Sequence, residues 1–265
     1  MFMFDPSKML ILAPSIFDNY FYSTFMIMYH VFDDFKVMEG DIIVVKPYLQ
    51  NIIEKYSEVD EFLKDYEDID TIIITGVGST IFGTAAFAKT VANILMKPVA
   101  GIVSGYGSLD IFQEAVEGYY KLVQKSTRKT TTVYPTKSKC NEDMYVENVK
   151  DSEVLMELLQ KNCSNIKMLV GHSKGALSIS NTLFGLENKS IGIDREIEIV
   201  TFGCPVRLPD EYDNTKQYLG IFDWFLGGVN KTLDNKKYEL VYTAGHTTNM
   251  IFPYHMPVEL LLSKK

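Results

Sequence analysis

The chain has 265 residues, enough for one large domain with a sizeable core, and no break in composition divides it into two. Its 26 basic and 34 acidic residues give a net charge of −8, which argues against a nucleic-acid-binding protein because such proteins normally carry a basic face. The three cysteines Cys140, Cys163 and Cys204 have no metal-ligand spacing, and their odd number does not indicate a disulfide framework. Free thiols in a reducing compartment explain them most simply.

The apolar stretches do not predict a membrane protein. The N-terminal sequence MFMFDPSKM lacks the basic start and the long apolar run of a secretory signal. Residues 19–32 are too few to cross a bilayer, and residues 71–88 are interrupted by the sequence GVGST. A strand, a turn and the start of a helix explain the second stretch better. We therefore expect a cytoplasmic protein with no transmembrane segment.

Short β-rich runs alternate with helical patterns along the chain. The runs predict eight strands, at residues 9–13, 41–46, 71–75, 99–104, 167–170, 196–202, 217–222 and 238–243. The helical patterns fall at residues 51–66, 84–96, 109–123, 149–161 and 176–186. Because unbroken apolar strands that alternate with helices are typical of parallel sheets, this pattern predicts an α/β three-layer sandwich. Its mostly parallel eight-stranded sheet would have helices on both faces.

Two segments leave an alternative open. Residues 124–147 are rich in Lys, Thr and Ser and interrupt the α/β alternation within the single domain, residues 1–265. They are interpreted either as a solvated excursion or as a lid over a site at the edge of the sheet. Residues 20–32 are rich in aromatic side chains and Met, which favours a core-packed N-terminal helix over an acyl pocket or a lipid contact.

Residues 171–175 read Gly-His-Ser-Lys-Gly and lie between the apolar run IKMLV and a helical pattern that starts with small residues. A G-x-S-x-G at such a junction is the pattern of a nucleophile elbow, in which a serine occupies a sharp, strained turn with its hydroxyl exposed. The flanking glycines are needed because the turn brings neighbouring backbones too close for a Cβ atom. Ser173 is therefore the candidate nucleophile.

Eight strands with this turn after the fifth resemble the α/β-hydrolase superfamily. The sequence VTFGCPVR at residues 200–207 is similar to the sixth-strand segment of class-3-type lipases and esterases. Cys204 in this segment is interpreted as a small buried residue, since no histidine accompanies it in the pattern. The resemblance covers most of the chain and is weakest over the first forty residues.

The resemblance implies a catalytic triad in the order Ser, acid, His, after strands five, seven and eight. The acid is then Asp223, directly after the seventh strand. The alternative is that Asp223 only caps the segment that follows it, residues 224–228. Asp210, Asp213 and Asp234 lie in polar loops and are weaker candidates for the acid. The base is His246, directly after the eighth strand, or His255, which is less favoured. His172 lies inside the elbow, where its side chain is expected to point the wrong way to act as the base. His30 is expected to pack in the core or to lie at the surface.

The resemblance also implies two backbone N–H groups that stabilise the oxyanion of the reaction. One is that of Lys174, the residue after the nucleophile. The other is that of Val77, in the turn after the third strand, with Gly78 as the second choice. The Lys174 side chain is interpreted as solvated at the start of the helix. Gly76 and Gly78 also match part of a dinucleotide-binding fingerprint, but the third glycine is replaced by Ile81.

These expectations define a serine hydrolase of the lipase/esterase type that cleaves carboxylic esters through an acyl-enzyme intermediate. Its substrate would be a small-molecule or lipid ester, and no nucleic acid, metal or organic cofactor would be required. Thioesterase or acyltransferase chemistry would use the same residues. The alternative from another class is a non-catalytic α/β-hydrolase-like binding protein.

Overall fold

Strands and helices alternate through the part of the chain that the computed structural model describes, residues 15–34, 37–48, 50–104, 149–162, 164–192, 196–223 and 238–264. The strands are β1 (Val31–Phe32), β2 (Ile42–Val45), β3 (Ile52–Tyr56), β4 (Thr71–Ile74), β5 (Val99–Ile102), β6 (Met168–His172), β7 (Glu198–Phe202), β8 (Thr215–Gly220) and β9 (Glu239–Val241). The α-helices are α1 (Ile16–Phe21), α2 (Val59–Asp65), α3 (Ile81–Leu95), α4 (Lys150–Asn162), α5 (Lys174–Asn188) and α6 (Val258–Leu262). A 3₁₀ turn covers Thr24–Ile27.

The nine strands form one mostly parallel sheet in the order β1-β3-β2-β5-β4-β6-β7-β8-β9. Strand β2 is antiparallel to both of its neighbours, and every other pair is parallel. The carboxyl ends of parallel strands meet at one edge of a sheet, where the ligands of open α/β sheets bind. The segments that follow β4, β6, β7, β8 and β9 therefore lie together.

Alternate residues of the same strands belong to two separate apolar clusters, as the period of a β-strand requires. Ile72 and Ile74 of β4 pack in one cluster with residues of α2, α4 and α5. Ile73 lies in the other cluster, with residues of α3 and α6. Both clusters are fully or almost fully buried, which explains why the central strands read as unbroken apolar runs.

The α/β class and the mostly parallel sheet predicted from the sequence are confirmed, with two errors in the first part of the chain. Seven of the predicted strands are β2 and β4 to β9, whereas the prediction of a single helix over residues 51–66 is wrong. Residues 52–56 form β3 instead, whose register against β2 pairs Ile53 with Val45, and the helix starts only at Val59. The short strand β1 was not predicted either, so the sheet has nine strands in the described residues rather than eight.

The predicted strand at residues 9–13, the predicted helix at 109–123 and the segment 124–147 lie outside the described residues. Within the described residues, no helix is both long and apolar enough to cross a membrane.

Helix α1 is attached to the start of α3 by a buried carboxylate. Asp18 is fully buried, and its Oδ1 accepts a hydrogen bond from the Thr80 backbone N–H at 2.9 Å while its Oδ2 accepts one from the Thr80 hydroxyl at 2.6 Å. Asp18 Oδ2 also accepts from the backbone N–H of Ser15, the N-cap of α1. Thr80 in turn caps α3, since its hydroxyl accepts from the Phe82 N–H. One carboxylate thus fixes the entry to both helices.

We expect Asp18→Ala to lower the free energy of unfolding by about 2 kcal/mol, because it leaves buried donors without an acceptor. Urea unfolding followed by circular dichroism measures this. Asp213→Ala, which removes an exposed carboxylate, serves as the control and should change stability by less than about 0.5 kcal/mol. Equal effects of the two substitutions would contradict the role assigned to Asp18.

Candidate active site

Ser173 occupies a sharp turn between β6 and α5. Its backbone angles are φ 55° and ψ −120°, a left-handed conformation that is unfavourable for a residue with a side chain. A Cβ atom at Gly171 would lie 2.7 Å from the backbone of Ala176, and one at Gly175 would lie 2.1 Å from the carbonyl oxygen of Ile74. The two glycines are therefore required by close backbone packing, as their spacing predicts.

Asp223 and His246 form a hydrogen bond at the same edge of the sheet. The distance from His246 Nδ1 to Asp223 Oδ2 is 2.7 Å, and the Asp223 side chain is fully buried. Gly203, with φ 72°, lies against this pair, since a Cβ atom there would be 2.9 Å from His246 Nδ1. The carboxylate fixes the orientation of the imidazole and leaves Nε2 as the ring nitrogen for a reaction.

Ser173 lies close to this pair. Its backbone N–H donates to the carbonyl oxygen of Phe202 at 3.0 Å, and the next residue, Gly203, contacts the His246 ring. On the other side, the ring of His172 lies 4.9 Å from that of His246 between centroids. The structure thus places the Ser173 backbone near the hydrogen-bonded Asp223–His246 pair, with the three residues following β6, β8 and β9.

His172 takes part in a buried hydrogen-bond chain that sequence reasoning did not find. Its Nδ1 lies 2.8 Å from the Tyr22 hydroxyl, and its Nε2 lies 2.9 Å from the carbonyl oxygen of His246. The Tyr22 oxygen also accepts the backbone N–H of Gly76 at 2.7 Å. Burial and the neighbouring His246 lower the pKa of His172 to about 3, and burial raises the pKa of Tyr22. Both groups are therefore neutral at physiological pH.

The two proposed oxyanion donors lie on either side of Ser173. Lys174 is the first residue of α5, where a backbone N–H has no acceptor within the helix and the helix dipole favours negative charge. The turn after β4 approaches from the other side, since a Cβ atom at Gly76 would be 3.0 Å from Cβ of Ser173. Tyr22 accepts the Gly76 N–H, so the second donor would be the N–H of Val77, with that of Gly78 as the alternative.

The interpretation of the Lys174 side chain as solvated is wrong, because it forms a buried ion pair. Its Nζ donates to Asp151 Oδ2 at 2.9 Å, to the Ser104 carbonyl oxygen at 2.9 Å and to Glu39 Oε1 at 3.3 Å. Burial opposes the charge on Lys174, but the two carboxylates outweigh it and raise its pKa. Burial raises the pKa of Glu39. The ion pair joins the start of α5 to α4. Asp151 lies more than twenty residues before Lys174 in the sequence, and no local pattern predicts their contact.

The remaining candidates lie elsewhere. His255 Nδ1 donates to the carbonyl oxygen of Phe252 at 2.8 Å, so this histidine stabilises its own turn. Asp210 and Asp213 are exposed, and Asp234 lies outside the described residues. Cys204 is buried and forms no disulfide within the described part of the chain, as expected for a small core residue in this segment.

An open apolar cavity of about 720 Å³ adjoins His246. It is lined by His246 together with Ile16, Phe17, Tyr20, Phe21, Phe222, Gly245, Thr247, Phe252, Pro253 and Tyr254. The ring of Phe21 meets that of His246 edge-on, with 5.5 Å between centroids. The prediction of a core-packed helix for residues 20–32 is therefore only partly correct. Tyr22, Ile27 and Phe32 are core residues, whereas Tyr20 and Phe21 line the cavity. The α-helix ends at Phe21, and Phe25, Met28 and Tyr29 are exposed.

No protein-family model and no curated protein sequence matches the chain.

We expect Gly175→Ala to destabilise the protein by about 2 kcal/mol or more, because the added methyl group overlaps the Ile74 carbonyl oxygen. Thermal or urea unfolding measures the effect. Gly192→Ala is the matched control, since a Cβ atom there has no neighbour within 4 Å, and it should leave stability almost unchanged. A Gly175→Ala variant with unchanged stability would show that the backbone of this turn is packed less tightly than described.

We expect Lys174→Met to lower the free energy of unfolding by about 3 kcal/mol, because it leaves the Asp151 carboxylate buried without its cation. Combining it with Asp151→Leu should recover most of that stability, since both charges are then absent. Urea unfolding of the two single variants and the double variant tests this. A double variant as unstable as the sum of the single variants would contradict a direct pairing.

Proposed function

We propose that this protein is a serine hydrolase of the α/β-hydrolase type that cleaves carboxylic esters. The observation that supports the proposal most strongly is the hydrogen bond between the buried Asp223 carboxylate and His246, near the turn in which Ser173 has φ 55°. Any one of these features is common in proteins. A strained serine, an oriented imidazole and a buried carboxylate after β6, β9 and β8 of one sheet are the parts that a catalytic triad requires.

In the proposed reaction, the Ser173 hydroxyl attacks the ester carbonyl. A neutral hydroxyl is a weak nucleophile, so His246 Nε2 takes its proton as the new C–O bond forms. The Asp223 carboxylate keeps the Nδ1 proton directed towards itself and stabilises the imidazolium. His246 then returns the proton to the leaving alcohol, and the C–O bond to that alcohol breaks. Water releases the acyl group from Ser173 by the same steps.

The oxyanion would be stabilised by the backbone N–H groups of Lys174 and Val77. Both belong to segments that contact the Ser173 turn directly, and backbone donors need no reorganisation during the reaction. The mechanism requires no metal or organic cofactor, because the nucleophile, the base and the oxyanion donors all come from the chain.

The cavity beside His246 favours a substrate with an apolar acyl or alcohol group. Its lining is mostly aromatic and aliphatic, and His246 is one of the lining residues. We therefore propose a small-molecule or lipid ester as substrate, of the lipase/esterase kind. We also propose a cytoplasmic location, because the three cysteines are an odd number with no disulfide pattern in the sequence.

Separate substitution of two histidines tests the assignment of the base. His246→Ala should reduce kcat for a nitrophenyl ester by about a thousandfold or more, because loss of a triad residue leaves only residual catalysis. His255→Ala should retain most of the activity, since this ring bonds only within its own turn in the described residues. Initial rates over a panel of nitrophenyl esters of increasing chain length measure both effects.

The panel should include thioesters, because the same residues would cleave them. A wild-type protein inactive on every ester and thioester would contradict the proposal and favour a non-catalytic binding protein. A His255→Ala variant that loses activity, with His246→Ala active, would transfer the role of base to His255.

A further inference from the structure

Three loops that carry the proposed catalytic groups are joined by one buried chain of hydrogen bonds. The chain runs from the Gly76 N–H to the Tyr22 hydroxyl, on to the His172 ring and then to the carbonyl oxygen of His246. Its three distances lie between 2.7 and 2.9 Å, and both side chains are at most 1% exposed. The chain therefore fixes the spacing of the oxyanion turn, the Ser173 turn and the base.

The proton positions along this chain follow from its two ends. The Gly76 N–H can only donate, so the Tyr22 oxygen accepts there and its own proton points to His172 Nδ1. With Nδ1 as acceptor, a neutral imidazole carries its proton on Nε2, which donates to the His246 carbonyl oxygen. Every donor in the chain thus has one acceptor. A second proton on His172 would face the Tyr22 hydroxyl and leave a buried O–H without an acceptor.

A neutral ring at this position also suits the reaction. The His172 and His246 rings lie 4.9 Å apart between centroids, and His246 becomes an imidazolium when it takes the Ser173 proton. A positive charge on His172 would oppose that step, since two like charges in a buried site repel strongly. A neutral His172 ring can donate to the His246 carbonyl oxygen without adding this repulsion.

We propose that His172 and Tyr22 are positioning residues that hold the oxyanion turn and the catalytic base in register around Ser173. The proposal rests on the hydrolase function proposed above. His172 acts through the backbone of His246 and Tyr22 through the backbone of Gly76, so neither residue touches the reacting atoms.

Removal of the Tyr22 hydroxyl tests the chain with little change in volume. We expect Tyr22→Phe to lower kcat for a nitrophenyl ester by about tenfold to a hundredfold, because a small displacement of positioned groups is costly. KM should change by less than about threefold, since the apolar cavity is untouched. The control is Tyr218→Phe, which removes a hydroxyl from the same core cluster and should keep kcat within about twofold.

Two substitutions at His172 separate positioning from packing. His172→Gln can still donate to the His246 carbonyl oxygen, whereas His172→Leu cannot. We expect the Gln variant to retain about tenfold more kcat than the Leu variant, with both assayed well below their unfolding temperatures. Equal kcat values in the two variants, at matched thermal stability, would overturn the role of His172.

The ¹⁵N NMR spectrum of the histidine rings reports on the chain without any substrate. In the wild-type protein at pH 7, we expect His172 to be neutral with its proton on Nε2, and Tyr22→Phe should shift the Gly76 amide and the His172 Nδ1 signals. A proton on Nδ1 of His172 would overturn the proposal even if the protein is an active hydrolase. A wild-type protein with the expected spectrum but no esterase or thioesterase activity would instead refute the hydrolase function, and the positioning role with it.

Discussion

The backbone conformation of Ser173 is the constraint on which the rest of the site depends. A residue with φ 55° at the end of a buried strand costs about 1–3 kcal/mol and persists only if its surroundings enforce it. Here Gly171 packs against the start of α5 and Gly175 against the backbone of β4, so the strand and the helix cannot separate without losing contact on both sides. The turn holds Ser173 at the carboxyl edge of the sheet, where the loops that carry Asp223 and His246 also lie.

The short helix α1 connects most of these loops, although it contributes none of the proposed catalytic groups. Asp18 fixes the start of α3, just beyond the oxyanion turn, and Tyr22 contacts Gly76 and His172. At its carboxyl end, carbonyl oxygens accept hydrogen bonds from the segment after His246, in which Thr247 and Thr248 donate to residues 20 and 21. The aromatic face of the same helix lines the cavity. This helix and its C-cap Tyr22 therefore connect the lining of the cavity to the segment that carries His246.

The sequence predicted the parts of the structure that depend on local patterns. The central strands and the Ser173 turn follow from apolar runs and glycine spacing, and the loops of Asp223 and His246 follow from their places after β8 and β9. The contacts of Tyr22, Asp18 and Lys174 could not be predicted, because each joins residues between 23 and 150 positions apart and a polar residue carries no periodic signal of its partner. The prediction of a helix over residues 51–66 was wrong because β3 lies next to the edge strand β1 and is only partly buried. Its pattern of apolar and polar residues therefore resembles that of a helix.

The reactivity of Ser173 tests the account most directly. A fluorophosphonate reacts with a serine only when an adjacent base activates the hydroxyl, so it reports on the triad without knowledge of the natural substrate. We expect one adduct per chain, located at Ser173 by peptide mass spectrometry. The adduct should be absent from the Ser173→Ala and His246→Ala variants. A folded wild-type protein that stays unlabelled, or one labelled equally well after His246→Ala, would contradict it.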